Sequence, residues 1–238
     1  MQMKIVVTGA SGGIGKEIVK NLAGYKEVEV IAISRSANLL ETLKKQCLKE
    51  YDKEIDIIYS DFSKAGFQND IRTHLQMRHK AIDVLINNAG FLVNKSFGEM
   101  NSKDIQQQMR INFEAPYQLT QALLPIMGKS KNTAHVVNIG SMGGYQGSQK
   151  FPGLSAYSAS KGALAILTEC LAVEYRDRNI AFNCLALGSA DTEMLRKAFP
   201  TYKSNMSAKE MADFISDFAL NGQRFFNGKI LPVAGLST

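Results

Sequence analysis

The feature that most restricts how this chain can fold is an alternation running almost from end to end. Six short apolar runs, "KIVVTG", "VEVIAIS", "EIDIIYS", "IDVLINN", "AHVVNIG" and "IAFNCLAL", read as strands, and "GKILPV" near the end supplies a seventh. Helical periodicity fills the gaps, over residues 14–22, 39–51, 102–127, 156–176 and 208–220. A strand that is apolar at nearly every position has both faces covered, and helices between successive strands provide the cover. The expected fold class is therefore α/β, a doubly wound parallel sheet of about seven strands with helices on both faces. At 238 residues, with no internal repeat or linker, the chain is expected to be a single domain over residues 1–238.

The 45% of hydrophobic and 21% of charged residues are ordinary for a globule. No stretch reaches the ~18 apolar residues of a membrane span, and no leader pattern opens the chain, so the expected location is cytoplasmic. Cys47, Cys170 and Cys184 are odd in number and widely spaced, and each reads as a small apolar filler. His74 and His79 fall in a polar helical stretch and read as a solvated face; with His135 they form no ligand pattern, so no metal is expected. A net charge of +6 suits anionic partners. The basic residues are scattered and lack interleaved aromatics, which argues against nucleic acid.

The first strand runs directly into "TGASGGIG" and then into helix. Gly9 can make the tight turn, while Gly13 and Gly15 admit a close ligand and close helix packing; Ser11 and Ile14 complete the loop. The helix that follows offers unpaired N–H groups and a positive dipole end to a phosphate. In that context the loop reads as a pyrophosphate cradle, and the sheet as Rossmann-type. The second strand ends in "ISRS", with no acidic residue for a free ribose 2′-hydroxyl. Ser34 and Arg35 offer a hydroxyl and a guanidinium to a 2′-phosphate instead, so the expected cofactor is NADP(H).

Further along, "AYSASKGALA" places Tyr157 and Lys161 four residues apart on one helix face. Four motifs now stand in order: "TGASGGIG", "NNAG" (Asn87, Asn88, Ala89, Gly90), Ser141 and "YSASK". In this order they resemble the short-chain dehydrogenase/reductase family over nearly the whole chain. The resemblance implies carbonyl reduction, with Tyr157 as the acid that protonates the carbonyl oxygen and Ser141 orienting that oxygen. Lys161 would hold a ribose hydroxyl and tune the phenol. A unit charge near 4 Å is worth about 4 kcal/mol at an effective dielectric near 20, which lowers a phenol's pKa by roughly 3.

Asn112, on its own an Asn interrupting a long helix, resembles the family residue whose backbone seats a water on the relay to Lys161. Asn88, Ala89 and Gly90 would lie along the cofactor, with Asp61 and Phe62 near its adenine. Asp61 reads equally well as a strand-end turn residue. "LALGSADTEM" resembles the turn in which Gly188, Ala190 and Thr192 hold the nicotinamide carboxamide.

Leu187 stands where the family usually has Pro, which predicts a looser turn. Ser141 and Tyr157 are 16 residues apart, more than in most members, and the segment 193–207 is short for a substrate lid. Tyr145 reads either as a stacking residue or as a loop cap, and Phe151, Met194 and Phe199 as core hydrophobes or pocket lining. The nearest resemblance is to 3-oxoacyl-carrier-protein reductases, so a ketone, aldehyde or acyl-thioester substrate is expected. The alternative is a non-catalytic NADP(H)-binding redox sensor acting through a protein partner. The apolar girth of "ALAILTECLAVEY" predicts helix pairing and a homotetramer.

Overall fold

The structure, a computed structural model, describes residues 2–235. Along the chain run β1 (Met3–Thr8), α1 (Gly13–Ala23), β2 (Val28–Ser34), α2 (Ala37–Tyr51), β3 (Asp56–Tyr59) and α3 (Phe67–Arg78). Then come β4 (Val84–Asn87), α4 (Ser102–Met109), α5 (Ala115–Leu123), β5 (Ala134–Ile139) and α6 (Ser155–Glu174). The last are β6 (Ile180–Leu187), α7 (Glu193–Ala198), α8 (Ala208–Asn221) and β7 (Lys229–Val233). The seven strands form one sheet in the order β3-β2-β1-β4-β5-β6-β7, with every pairing parallel. The doubly wound α/β fold expected of the alternation is the one observed.

Residues on the two sides of each strand feed two cores. Val7, Val30, Val137 and Leu185 pack with Ile18 and Leu22 of α1 and Ile215 and Ala219 of α8. Val6, Ile31, Leu85 and Phe182 pack on the other side with Ile71 of α3, Leu119 of α5 and Ala172 of α6. Chain order reverses between β1 and β4, so their departing loops part there and open a crevice at the C-terminal ends of the strands.

Several expectations are corrected. The single helix over 102–127 is divided: α4 gives way to a π turn over Arg110–Glu114, α5 follows, and Leu124–Ile126 is a 3-10 turn. Leu187 does not loosen its turn. It is the last residue of β6, in register with Val233, and the next residue, Gly188, donates its N–H to the Val233 carbonyl. Cys47 and Cys184 are buried but Cys170 is exposed, on the outward side of α6. His79 is not solvated: it is buried, with Nδ1 3.7 Å from Glu29 and Nε2 4.0 Å from Asp56, at the N-terminal ends of β2 and β3. Of the chain's ending "KILPVAGLST", the last three residues lie outside those described.

His135 shows how tightly the sheet is knitted. It is fully buried, its Nδ1 donates to the Ala219 carbonyl at 3.1 Å, and its Nε2 accepts from Asn183 Nδ2 at 3.0 Å. The Asn183 amide nitrogen also donates to the Phe226 carbonyl, while its oxygen accepts from Lys229 N–H. A second proton on the imidazole has no acceptor, and burial drives the His135 pKa down to about 4. Below its ordinary 6.5 the unfolded chain binds a proton that the folded chain refuses until about pH 4, so stability falls as pH falls through that window. Urea unfolding should show a loss of roughly 3 kcal/mol from this group between pH 7 and 4. His135→Gln, which keeps a donor and an acceptor but does not titrate, should flatten that slope.

Candidate active site

The loops after β1 and β4 interlock. Thr8 Oγ1 accepts from the backbone N–H groups of Asn88 and Ala89, both at 3.0 Å, and Asn88 Nδ2 donates to the Thr8 carbonyl at 2.9 Å. Gly9 adopts φ +67°, and a β-carbon there would come within 2.8 Å of Ala89 Cα. A β-carbon on Gly15 would collide with the Gly9 carbonyl and the Asn88 amide. Beyond this knot, α1 begins after Gly12 with no side chain capping it, and nothing lies within 4 Å of where a Gly12 β-carbon would sit. Open N–H groups and free space at the head of a helix suit a phosphate, so this cradle fits a dinucleotide.

The residues expected to carry the chemistry lie beside it. Ser141 follows β5, and Gly143 and Gly144 bring its loop onto α6: a Gly144 β-carbon would press within 2.6 Å of Gly162 N. The Ser141 hydroxyl accepts from Gly143 N–H, and Ser141 acts on the Tyr157 hydroxyl to lower its pKa. Lys161, buried one turn further, donates to the Ile139 carbonyl at 2.7 Å. Asn112 is fully buried in the π turn; its Oδ1 accepts from Phe91 N–H and its Nδ2 donates to the Phe91 carbonyl, both at 2.8 Å, and to Ser160 Oγ at 3.0 Å. In regular α-helix the Asn112 carbonyl would bond the N–H of residue 116, but residue 116 is Pro. Near Gly90 the cluster closes: Asn112 Oδ1 and Lys161 Nζ come within 3.7 and 3.8 Å of the point a β-carbon there would take.

Electrostatics differ from the expectation of a lowered phenol. Tyr157 is half-buried, and burial raises its pKa, opposed by Ser141. Lys161 turns its ammonium to the Ile139 carbonyl and does not lower the phenol. Burial instead lowers Lys161 itself to about 8. Tyr157 is thus a protonated donor at neutral pH, and Lys161 a cation that releases its proton more readily than an exposed lysine.

Other expected contacts are placed less openly. Ser34 is buried, and its hydroxyl is shared with Ser11 Oγ at 2.7 Å, so Ser11 rather than Ser34 faces the crevice; Arg35 is exposed. Asp61 holds a turn, its Oδ1 accepting from Ser63 N–H and Oγ, which lowers its pKa, with Arg35 adding to the effect. It borders the same groove of about 620 Å³ as Arg35. The Phe62 ring is core, 4.8 Å from Phe67, which leaves only its backbone near the groove. Thr192 Oγ1 caps α7 by accepting from Leu195 N–H at 3.2 Å, so its proton stays available. Gly188 N–H is taken by the Val233 carbonyl, and Ala190 is buried. Phe151 and Met194 are exposed, not core; Phe199 and Tyr145 are half-buried.

Four positioning residues escaped the sequence reading: Thr8, Gln108, Ser160 and Arg110. Gln108 is fully buried and accepts from Val93 N–H, while Arg110 donates to the carbonyls of Phe62 and Lys64 and holds that loop to the π turn. Thr8 opens the glycine motif. The other three lie one helical turn or less from motif residues, the only signal the sequence carried.

A family model described as short chain dehydrogenase matches residues 3–203, and the chain belongs to that oxidoreductase family. The chain is similar to the uncharacterized oxidoreductase YciK of Escherichia coli K12, at 32% identity over 83% of this chain and 77% of that one. It is similar to the 3-oxoacyl-[acyl-carrier-protein] reductase FabG of Chlamydia trachomatis, at 28% identity over 97% and 95%. Among solved structures, a short chain dehydrogenase of Shigella flexneri complexed with NADP superposes with a TM-score of 0.89, at 28% identity, covering 97% of this chain and 96% of that one.

Two outcomes follow. Gly15→Ala must part the two loops, and should destabilise the fold by about 2 kcal/mol in urea unfolding while abolishing dinucleotide binding. For Lys161, the unfolded chain keeps its proton up to about 10.5 while the folded chain loses it near 8, so the cost of burying the charge fades as pH rises through that range. Measured against Lys161→Met, the parent's stability should gain roughly 3 kcal/mol between pH 7 and 10.5.

Proposed function

We propose that this chain is an NADP(H)-dependent reductase of a ketone or aldehyde. The observation that carries the reading is the convergence of the Ser141 loop on α6, with buried Lys161 one turn beyond Tyr157 and close to Gly90 and Asn112, beside the glycine cradle. Bound NADPH supplies the hydride; everything else falls to the chain. Ser141 and Tyr157 present two hydroxyls to one carbonyl oxygen, and Tyr157 yields its proton to that oxygen as charge develops on it. A phenol whose pKa is raised keeps this proton at neutral pH and gives it up only to a stronger base. Lys161 then restores the proton, and the Asn112 carbonyl, without its α-helical partner, is a seat for a water linking Lys161 to solvent. Arg35, exposed at the end of β2, is the seat for the 2′-phosphate, with Ser11 and Ser34 behind it.

The substrate class we favour is a 3-oxoacyl thioester, as the name of the chlamydial relative suggests. An open apolar cavity of about 520 Å³ beside Ser155 and Ser158, walled by Phe97, Phe151, Pro152 and Leu154, offers room for an acyl chain. Pairing of α6 across subunits of a cytoplasmic homotetramer is supported by exposed Ile166 and Val173 on that helix and Tyr117 on α5.

The test follows nucleotide binding by fluorescence, then NADPH oxidation with acetoacetyl thioester. Tyr157→Phe should lower turnover by at least 100-fold while NADPH binding changes less than twofold. Arg35→Ala should weaken NADPH binding by about 10- to 100-fold and leave NADH binding unchanged. Nucleotide binding without turnover of any carbonyl would favour the redox-sensor alternative instead.

A further inference from the structure

The loop that leaves β4 is fastened at each step as it passes the site. Asn112 holds Phe91 through two hydrogen bonds, Gln108 accepts from Val93 N–H at 3.1 Å, and Lys95 N–H donates to the Gly153 carbonyl at 3.1 Å. Within this run, the Asn94 side chain reaches across to another element. Its Nδ2 donates at 2.8 Å to the carbonyl of Ala198, the last residue of α7. That carbonyl is one of those a helix C-terminus leaves without an internal partner. The other side of the same amide lies against Gly153, which adopts φ +82° and whose β-carbon, if present, would collide with Asn94 Oδ1.

Helix α7 has only six residues, too few to persist on its own hydrogen bonds. Thr192 secures its N-terminus and Asn94 its C-terminus. Between these anchors lies Met194, whose Cε comes within 3.8 Å of the point above Gly90 that Lys161 Nζ and Asn112 Oδ1 also approach. The thioether therefore leans over the corner of the site that Lys161 and Asn112 share, on the helix whose C-terminal carbonyl Asn94 holds.

We propose that Asn94 is a positioning residue that latches α7 in place, so that Met194 closes over the carbonyl substrate. The latch is a property of the fold, while its effect on substrate rests on the reductase reading. Without Asn94 the C-terminal end of this short, exposed helix loses its side-chain anchor, and a loosened cover weakens substrate affinity while Tyr157 and Lys161 on α6 keep their places.

The experiment pairs hydrogen exchange with kinetics in the parent, Asn94→Ala and Gly153→Ala. The second substitution displaces the Asn94 amide without touching α7. Both variants should speed exchange at Arg196 and Phe199, whose N–H groups bond within and just after α7, by about fivefold, leaving β4 and α6 unchanged. With acetoacetyl thioester, KM should rise about fivefold while kcat and the KM for NADPH change less than twofold. Unaltered exchange in α7 in both variants would overturn the latch. Faster exchange with an unchanged carbonyl KM would overturn its role toward substrate. If the parent reduced no carbonyl at all, the reductase reading and the substrate role would fall together, and the exchange result would still decide the latch.

Discussion

The site depends on the close approach of two loops at the point where the sheet reverses direction. Gly9 and Gly15 leave no room for side chains because the Ala89 backbone, the Asn88 amide and the Gly9 carbonyl occupy that space. Thr8 and Asn88 then exchange hydrogen bonds across the gap. The knot fixes the mouth of the crevice between β1 and β4 before any ligand enters, and so fixes where the α1 N-terminus points. A ligand phosphate meets N–H groups that need no rearrangement, which spares the ordering cost a flexible loop would incur.

The candidate catalytic cluster is assembled by a different device, polar side chains buried so that their partners hold them. Asn112 has no exposed surface and spends both ends of its amide on Phe91 and Ser160, so it joins the π turn, the loop after β4 and α6 in one brace. A buried amide in this position is costly unless every bond is made, which makes the brace rigid. The same burial acts on charge. It raises the Tyr157 phenol and lowers the Lys161 ammonium to about 8, so two groups of nearly equal ordinary acidity are driven apart and Lys161 becomes the readier proton source. An ammonium more acidic than the neighbouring phenol passes its proton downhill to a phenolate, the direction a proton resupply requires.

The alternation of apolar strands and helical stretches was readable because both faces of a parallel sheet demand it, and the observed strands follow the runs from "KIVVTG" to "GKILPV" closely. The positions of Ser141, Tyr157 and Lys161 were readable as well, being spaced by loop and helical turn. Other features were not. The break in the helix over 102–127 carries only one local sign, Pro116, because a π turn is stabilised by what Asn112 bonds to rather than by the residues in it. Ser34 and Phe62 were assigned to the groove from their places in the chain, yet a hydroxyl shared with Ser11 and a ring packed on Phe67 turn both inward. His79 looked solvated in its polar neighbourhood, yet at the end of α3 it is buried near Glu29 and Asp56 of two strands, which no local pattern signals.

By itself the sequence determined the class of fold and the glycine cradle, and it brought Ser141, Tyr157 and Lys161 forward as candidates for the chemistry. Periodicity, glycine and the spacing of side chains along one helix are local properties, set by backbone geometry within a few residues. Tertiary structure alone decided how those groups are tuned and enclosed. The protonation of Tyr157 and Lys161 depends on how much protein surrounds them, and the anchoring of α7 depends on a contact between Asn94 and Ala198, more than a hundred residues apart in the chain. Desolvation and long-range contact are sums over the whole packed molecule, and no short stretch of sequence contains them.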